Sequence, residues 1–356
     1  MNLHIFNPEH DIALAFNSRR QSMPHAAQEL RMNLGWIPAL WAEDGDVVLV
    51  DDVPFAVKAA RRFGQSVADV LFLSAHELKG LVFDKVLPWG WDLRIRTELE
   101  EAGVDASLLP SDSEIAEIRQ LSNRRQTSMA LQTIRQGVEN DTCGVSRYVA
   151  LGEDVPSDWL KFVLKAPWSS SGRGIRYVDG AMTDGVSGWI KRVAERQGGV
   201  MIEPYYPKVK DFGVEFFAHA DGTVTYEGLS LFHTINGAYA GSILATDEAK
   251  MEMLTTYLSR NLLESVIEKS ADYYSALLRN RYTGPFGVDM MIVSRPDGNG
   301  FLLHPCVEIN LRRTMGHVAL SLTPQPLAPR QLMRIVYDVN YTLKTSVLEN
   351  NFVQVV

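Results

Sequence analysis

The sequence predicts an α/β protein in which a parallel α/β domain at the amino terminus is followed by an α+β part. Two observations predict this order. Residues 1–120 alternate short apolar runs with helical patterns, which is typical of a small parallel sheet covered by helices. Residues 283–316 instead predict a β-hairpin, because two strand-like runs flank a turn rich in Gly, Asp and Asn.

The composition limits the class of protein. At 356 residues, 46% hydrophobic and 22% charged, the chain is long enough for two or three domains. No apolar run approaches the roughly 18 residues of a membrane span, and the first residues lack the pattern of a signal peptide, so we expect a cytoplasmic protein. A net charge of −8 gives no support to binding nucleic acid or membrane. Cys143 and Cys306 are too few for a disulfide framework, and we expect both to be reduced packing residues.

The amino-terminal domain is predicted from short strands and helices in alternation. The strand candidates are 3–6, 46–50, 70–73 and 85–88, and the helix candidates are 26–34, 54–63 and 75–81. Ligands of such sheets gather beyond the carboxyl ends of the strands. Two loops at such positions, Asn7–Asp11 and Pro88–Asp92, are therefore candidates for lining a substrate pocket. The alternatives are that Asn7 or Asp11 caps a helix and that the tryptophans of the second loop are packing anchors.

The rest of the chain mixes helices with further strands. Helices are predicted at 111–136 with a break near 121–123, at 184–197, at 246–281 with a boundary near 261, and at 329–345 as a closing helix. Strands are predicted at 144–151, 162–165, 175–178, 200–206, 212–218, 223–232, 286–293 and 301–311.

The predicted hairpin brings oxygen-bearing side chains together. Glu308 and Asn310 are two apart on a strand and share a face, and a turn with an even number of loop residues, such as Gly298-Asn299, places Asp289 opposite Glu308. Two facing carboxylates repel each other unless a cation is present. Because Mg²⁺ prefers oxygen ligands, these three residues predict a magnesium site; the alternative is an exposed hairpin with a polar face.

A loop of small residues, 166–174, follows Lys165 between two predicted strands. Its backbone N–H groups and hydroxyls are suited to closing over phosphates, with Lys165 supplying a positive charge. It is not a Walker loop, because no Gly-Lys-Ser/Thr sequence opens a helix. A flexible hairpin turn is the alternative.

Four motifs occur in the order and spacing of the ATP-grasp superfamily. They are Lys165 in LKAPWSSSGRGI, Glu203 in VMIEPYY, Asp289 in GPFGVD, and EINLR from Glu308 to Arg312. Over residues 121–320 the sequence resembles that superfamily, and the preceding domain is similar to the one that usually comes first in these enzymes. The resemblance implies the two α+β subdomains of an ATP-grasp fold, with boundaries at 1–120, 121–200 and 201–356.

The resemblance implies a site for ATP and for one or two Mg²⁺ ions, with Mn²⁺ as an alternative metal. Lys165 would contact the α and β phosphates, and Asp289, Glu308 and Asn310 would ligate the metal. Arg312, supported by Arg313, would hold the γ-phosphate or an acyl phosphate. The implied lid residues are Ser169, Ser170, Ser171, Gly172 and Gly174, and the implied nucleoside contacts are Glu203, Pro204, Tyr205 and Tyr206 for adenine and Asp211 for ribose.

Two positions depart from the pattern of the superfamily. Arg124 or Arg125 stands where a first phosphate-contacting lysine often occurs, which keeps the charge but changes the geometry. Gly287 stands where some relatives carry an arginine two residues before the metal aspartate, and Arg312 or Arg313 would supply the missing charge.

The implied function is that of an ATP-dependent ligase that joins a carboxylate to an amine through an acyl phosphate. The alternatives are a kinase of a small molecule and a nucleotide-binding protein without turnover. We expect His233, Arg313 and His317 to face the acceptor pocket, or else to be ordinary surface or core residues. The sequence names neither substrate and leaves the oligomeric state open, although a homodimer is common among relatives.

Overall fold

The computed structural model describes residues 1–156, 159–169, 174–235 and 238–348. The chain divides into two compact units. Unit 1 comprises residues 1–119, 240–246 and the described part of 312–356, and unit 2 comprises the described parts of 120–239 and 247–311. The division into three parts at 120 and 200 stays a prediction.

Residues 1–119 of unit 1 form a parallel sheet with helices between the strands, as the sequence predicts. The strand order is β3-β2-β1-β4, and all three pairings are parallel. The apolar side chains of β1, β2 and β4 share a core with Ile95 and Leu99 of α4. The elements are β1 (Asn2–Ile5), α1 (His10–Phe16), α2 (His25–Leu34), β2 (Val47–Leu49), α3 (Val53–Ala60), β3 (Leu71–Leu73), β4 (Lys85–Pro88), α4 (Leu93–Glu101) and α5 (Asp112–Leu121).

One predicted helix of this domain is wrong. Instead of a helix over 75–81, only a 3₁₀ turn forms at Ala75–Glu77. Gly80 adopts a φ of 87°, a left-handed conformation that ends helical structure. The helix α4, which the sequence did not single out, begins at Asp92, whose carboxylate accepts hydrogen bonds from the N–H groups of Arg94 and Ile95, both at 2.9 Å.

Unit 2 contains two antiparallel sheets with helices, which confirms the α+β character predicted for this part. The first sheet has the order β5-β8-β6-β7 and the second has the order β10-β9-β13-β14. The elements in chain order are α6 (Gln126–Ile134), β5 (Arg147–Ala150), β6 (Lys161–Lys165), β7 (Ile175–Asp179), α7 (Asp184–Gln197), β8 (Gly199–Pro204), β9 (Lys208–Ala218), β10 (Val224–Ser230), β11 (Phe232–Ile235), β12 (Ala238–Leu244, mostly in unit 1), α8 (Asp247–Leu254), α9 (Arg260–Leu278), β13 (Gly284–Ser294) and β14 (Phe301–Asn310).

The predicted hairpin is formed by β13 and β14, and Asp289 lies opposite Glu308 as predicted. The turn is longer than the two-residue turn considered, because the ladder closes at Ser294 opposite Phe301. The register then shifts between Met291, which faces His304, and Asp289. Pro305 lies in the shifted segment; since proline has no N–H to donate to a ladder, its presence there explains the irregularity.

The carboxy-terminal residues of unit 1 contradict the predicted closing helix at 329–345. Residues after α10 (Met315–Ser321) form two strands, β15 (Gln331–Tyr337) and β16 (Tyr341–Val347), which pair antiparallel with each other, and β15 also pairs with β12. Leu332, Met333 and Leu343 are buried, so this ribbon contributes to the core of the unit. The aromatic and β-branched residues of both runs favour strands, and this preference prevails over the helical spacing.

Across the residues that the structure describes, no helix is both long enough and apolar enough to cross a membrane.

Candidate functional site

One face of the second sheet of unit 2 carries four of the residues predicted to bind ribose and metal. Residues directly opposite on neighbouring strands share a face, and so do residues two apart on one strand. We call this surface the polar face. Its three rows across β9, β13 and β14 are Asp211–Met291–His304, Gly213–Asp289–Glu308 and Glu215–Gly287–Asn310.

The structure brings the three predicted metal ligands together on the polar face. Asp289 and Glu308 are direct cross-strand partners, and Asn310 is in the next row, about 7 Å along the strand. Carboxylate and amide oxygens are ligands that suit Mg²⁺. Among the residues placed by the structure, no three His, Cys, Asp or Glu side chains are arranged to hold a metal, so the donor set depends on the amide of Asn310.

Arg124, not Arg125, lies at this site. Its guanidinium is buried and donates to Ala166 O and Ser169 Oγ, both at 2.7 Å, and to Glu308 Oε1 at 2.5 Å. Arg125 instead places its guanidinium over the ring of Tyr148, 4.8 Å from the centroid. The sequence left the choice between the two arginines open, and the geometry distinguishes them.

The loop that follows Lys165 is described only at its two ends. Ser170, Ser171 and Gly172, which the resemblance places in the lid, lie outside the described residues. At the base of the loop, Ala166 N donates to Gly174 O at 2.8 Å. A Cβ on Gly174 would lie 2.2 Å from Ser169 Oγ, so this close approach requires glycine.

Lys165 and Glu203 form a buried ion pair, with Nζ and Oε2 2.6 Å apart. Both side chains are more than nine-tenths buried. The neighbouring strands β6 and β8 position them, and Ser146 Oγ donates to the second carboxylate oxygen of Glu203 at 3.1 Å. The resemblance assigns Lys165 to phosphate and Glu203 to adenine, and the structure places the two groups in contact.

The segment from Pro204 to Tyr206 follows the end of β8. Pairing with β5 ends at Ile202, whereas on the other side Tyr205 N still donates to Lys161 O at 3.0 Å. Tyr206 is packed: its hydroxyl accepts from Val145 N at 3.0 Å, while Tyr205 is exposed. Among the described residues, therefore, no strand pairs with this segment on the side of β5 beyond Ile202.

Asp211, the predicted ribose residue, stands on β9 at one end of the polar face. Its Oδ2 accepts from Lys208 Nζ at 2.5 Å and from Thr234 Oγ1 at 3.3 Å. Met291 separates it from His304 in the same row.

Arg312 and Arg313 belong to unit 1, where they contact the loops predicted to line a substrate pocket. Arg312 forms a two-point ion pair with Asp11, with Nη2–Oδ2 at 2.8 Å and Nε–Oδ1 at 3.0 Å. The backbone N–H of Arg313 donates to Trp89 O at 2.8 Å, and its guanidinium lies 4.6 Å from the ring of Trp41.

The two loops of unit 1 are bonded to each other. Asn7 Nδ2 donates to Gly90 O at 2.8 Å, and His10 Nδ1 lies 3.3 Å from Asp92 Oδ2. Neither Asn7 nor Asp11 caps α1, whose N-cap position is Glu9 without a side-chain hydrogen bond. The capping alternative for the first loop is therefore wrong, whereas Asp92 of the second loop does cap a helix.

The two histidines expected at the acceptor pocket, His233 and His317, lie in different surroundings. His317 is buried at the start of α10, where its Nδ1 accepts from Thr314 N at 3.1 Å as part of a capping box. His233 is half-buried on β11. The contacts of His317 match the alternative of an ordinary structural residue.

No protein-family model and no curated protein matches this chain.

Solved structures with a similar chain course do exist. The chain is similar to N5-carboxyaminoimidazole ribonucleotide synthetase from Thermus thermophilus, with 13% identity over 94% of this chain and 83% of that one and a TM-score of 0.48. It is also similar to a protein from Archaeoglobus fulgidus provisionally assigned to the ATP-grasp superfamily (15% identity, 98% and 100% covered, TM-score 0.47) and to a D-cycloserine synthetase (13%, 91% and 98%, TM-score 0.44). At these values the likeness assigns no activity and no site residue to this chain.

His304 is a residue of the polar face that the sequence analysis missed. It is buried, and neither ring nitrogen has a hydrogen-bond partner among the described residues. Burial lowers the pKa of His304 to about 4, so the ring is neutral near neutral pH. Its ring stands 5.3 Å from that of Tyr206. The sequence does carry a signal for His304: it lies an even number of residues from Glu308 on a predicted strand, which favours the same face.

Both cysteines are packing residues, as predicted. Burial raises the pKa of Cys143 and of Cys306 to about 12, so both thiols stay protonated at neutral pH.

Proposed function

We propose that this chain is an ATP- and Mg²⁺-dependent ligase of the ATP-grasp type that joins a carboxylate to an amine and releases ADP and phosphate. One observation carries the proposal: Asp211, Asp289, Glu308 and Asn310 share one face of one sheet, in successive rows. The resemblance gives these residues to ribose and to metal-bound phosphates, and rows about 7 Å apart suit a nucleotide that lies along the strands.

The residues present fit a magnesium ion. Asp289 and Glu308 face each other, and in this structure the guanidinium of Arg124 compensates the charge of Glu308. Asp289, Glu308 and Asn310 would hold the ion, which supplies neutralisation of phosphate charge when bound. Arg124 contacts Glu308, a proposed ligand of the metal. A positive side chain and metal-binding oxygens therefore lie together, which supports a site for phosphate and Mg²⁺ side by side.

The cationic residues of unit 2 would bind and orient the phosphates. Lys165 ends β6 beside the loop of small residues, and Arg124 contacts that loop at Ala166 and Ser169. Enzymes accelerate phosphoryl transfer mainly by positioning the reactants and neutralising charge. These two side chains would therefore supply much of the rate acceleration that the protein provides.

The proposed reaction has two steps. A carboxylate oxygen attacks the γ-phosphorus and ADP leaves, which gives an acyl phosphate. The amine nitrogen then attacks the acyl carbon, the bond from that carbon to the phosphate oxygen breaks, and phosphate leaves with a proton from the amine. Arg312 and Arg313, beside the Asn7–Asp11 and Pro88–Asp92 loops of unit 1, would bind the anionic group of a substrate.

The experiment that tests this function measures ADP and free phosphate with Mg·ATP and a panel of amino acids and small carboxylates, singly and in pairs. A ligase releases ADP and phosphate together only when both substrates are present. A kinase leaves the phosphate on its substrate, so ADP would form without free phosphate. Absence of Mg·ADP binding by calorimetry would overturn both functions.

A further inference from the structure

Unit 1 contains a cleft of about 510 Å³ beyond the carboxyl ends of three strands of its parallel sheet. Glu9 follows β1, Asp51 follows β2 and Arg94 follows β4 in the first turn of α4, and all three residues line the cleft. Sites for small molecules typically have volumes of about 300–1,000 Å³, and parallel sheets bind their ligands beyond the carboxyl ends of the strands. We call this place the Glu9 cleft.

Three carboxylates surround one buried guanidinium in the wall of the Glu9 cleft. Arg31 Nη1 donates to Glu9 Oε1 at 3.1 Å and to Glu98 Oε2 at 3.0 Å, and Arg31 Nε lies 3.9 Å from Asp51 Oδ2. Arg31 is 8% exposed and Glu9 is 3% exposed, so water screens these charges only weakly. One positive charge against three negative charges gives this wall an excess of negative charge.

The second carboxylate oxygen of Glu9 is unsatisfied. Within the part of the chain that the structure describes, Glu9 Oε2 is buried and accepts no hydrogen bond. Such an oxygen has lost its water without gaining a donor, which costs free energy. Burial raises the pKa of Glu9, and a positive group at Oε2 would oppose this effect by favouring the charged form. A cationic donor in the cleft would therefore meet an acceptor that the protein leaves unfilled.

Arg94 brings an unpaired positive charge to the same cleft. Its side chain is half-buried, and among the described residues its guanidinium forms no ion pair and no hydrogen bond. Its charge acts on Glu9 at longer range. A guanidinium whose donors are available binds a carboxylate at two points. The Glu9 cleft therefore offers an unfilled donor as well as an unfilled acceptor.

A larger hollow beside the cleft, of about 830 Å³, offers no such pair of groups. Arg19 donates to Thr97 Oγ1 and Arg20 donates to Glu101 Oε1, both at 3.1 Å. The arginines of this hollow already have partners on the protein. The chemistry therefore favours the Glu9 cleft as a binding site, although the hollow is larger.

We propose that the Glu9 cleft binds a zwitterionic amino acid, whose ammonium group donates to Glu9 and whose carboxylate accepts from Arg94. A simple amine would leave Arg94 unpaired, and a simple carboxylate would meet the excess negative charge around Arg31. An amino acid fills both groups at once. That this amino acid is a substrate rests on the proposed ligase function, whereas its binding to the cleft does not.

The test is isothermal titration calorimetry with a panel of L- and D-amino acids, β-alanine and 4-aminobutanoate, which differ in the spacing of their two charges. Each is titrated into the protein alone and into the protein with Mg·ADP. At least one binds the unmodified protein. Its N-acetyl derivative and its primary amide, which each lack one charge, bind about tenfold more weakly or worse, because each loses a charge-assisted hydrogen bond.

Two variants test the two contacts. Glu9→Gln and Arg94→Met each weaken binding of the amino acid by about tenfold or more. Glu9→Gln also loses the preference for the free amino acid over its N-acetyl derivative, a change that loss of stability alone would not produce. Glu29→Gln on α2 and Arg62→Met, at an exposed position, are matched controls that leave binding unchanged, because neither residue lines the cleft.

The outcomes separate this site from the proposed ligase function. Binding of Mg·ADP without binding of any amino acid overturns the Glu9 cleft as a site and leaves the nucleotide site standing. Binding of an amino acid without binding of Mg·ADP removes the ligase function and keeps the cleft. Equal binding by the unmodified protein, Glu9→Gln and Arg94→Met overturns the proposed contacts. If Glu9→Gln does not fold because Arg31 loses a partner, Arg94→Met decides, since no ion pair of Arg94 in the described ranges is lost.

Discussion

Arg124 and Glu308 form an ion pair across 184 residues of sequence, with Nη2 and Oε1 2.5 Å apart. The same guanidinium donates to Ala166 and Ser169 at the base of the small-residue loop. One buried cation therefore links that loop to a carboxylate of the proposed metal site.

Arg124→Lys keeps the charge but removes the fork of donors that reaches Ser169 and Glu308 together. We expect ADP release to fall by about 10²-fold, the usual effect of losing one well-placed charge contact at a phosphoryl-transfer site. Arg125→Lys is the matched control, because Arg125 lies over Tyr148 and contacts none of these groups in the hydrogen bonds described. Equal rates for the two variants would show that Arg124 is a structural residue only.

Asp289→Asn and Glu308→Gln keep the shape of each side chain but remove a negative charge from the polar face. We expect each to lose turnover by about 10²-fold or more and to require higher Mg²⁺ concentrations for ADP binding, since Mg²⁺ prefers carboxylate oxygens. Asp272→Asn, an exposed carboxylate on α9, serves as control. Phosphate release at the rate of the unmodified protein in both variants would remove the metal assignment.

For Lys165 and Glu203 we expect a double variant to recover the free energy of unfolding that each single variant loses, but not the affinity for ADP. Lys165→Met or Glu203→Met alone leaves a buried charge without its partner, which destabilises a protein by about 3–5 kcal/mol, whereas the double variant recovers much of that loss. Urea unfolding measures both effects. ADP affinity, in contrast, stays low in the double variant, because Lys165 is proposed to contact phosphate; full ADP affinity there would contradict that role.

His304 predicts a pH dependence of stability. Its folded pKa of about 4 lies below the ordinary value near 6.5, so the unfolded chain takes up the proton first as pH falls. Stability is therefore fully present above pH 6.5 and declines as the pH falls from about 6.5 to about 4, by on the order of 1–3 kcal/mol from this residue. Urea unfolding at pH 7.5, 6.0 and 5.0 checks it.

The matched variants isolate the contribution of His304 from that of other histidines. His304→Phe should flatten the pH dependence relative to the unmodified chain, whereas His25→Gln, at an exposed position on α2, should leave it unaltered. Parallel curves for the unmodified chain and His304→Phe would mean that the ring of His304 is solvated.

The sequence predicts correctly those parts of the fold in which the spacing of apolar residues along the chain matches the face that the structure buries. Asp289 lies directly opposite Glu308 because the longer turn and the register shift between Asp289 and Met291 offset each other. From the alternation on β13 and β14 alone, the sequence predicts only that these two side chains share a face. It could not distinguish Arg124 from Arg125, since helical spacing does not tell which side chain meets a distant loop. It also predicted a helix where β15 and β16 form. Short apolar runs fit the helical and the strand period equally well, and here the pairing of the two strands decides between them.

The close approach of Glu215 and Ser230 to Gly213 could not be predicted from the sequence for a related reason. Glu215, Gly213 and Ser230 are ordinary residues of strands, and only the pairing of β9 with β10 and β13 places them in adjacent rows. Glycine in a strand signals a bulge or a close approach, but the sequence does not say what approaches.

The irregular stretch of β14 around Pro305 has a consequence for chain length. Three residues of β14, 305–307, stand against the single residue Met290 of β13, an excess of two. A bulge takes up such an excess locally, so the strand on either side of it keeps its pairing and its faces. Removing one residue from this stretch would leave a smaller bulge, and removing two would leave a regular ladder. The pairing of Asp289 with Glu308 should therefore survive changes of chain length at this point.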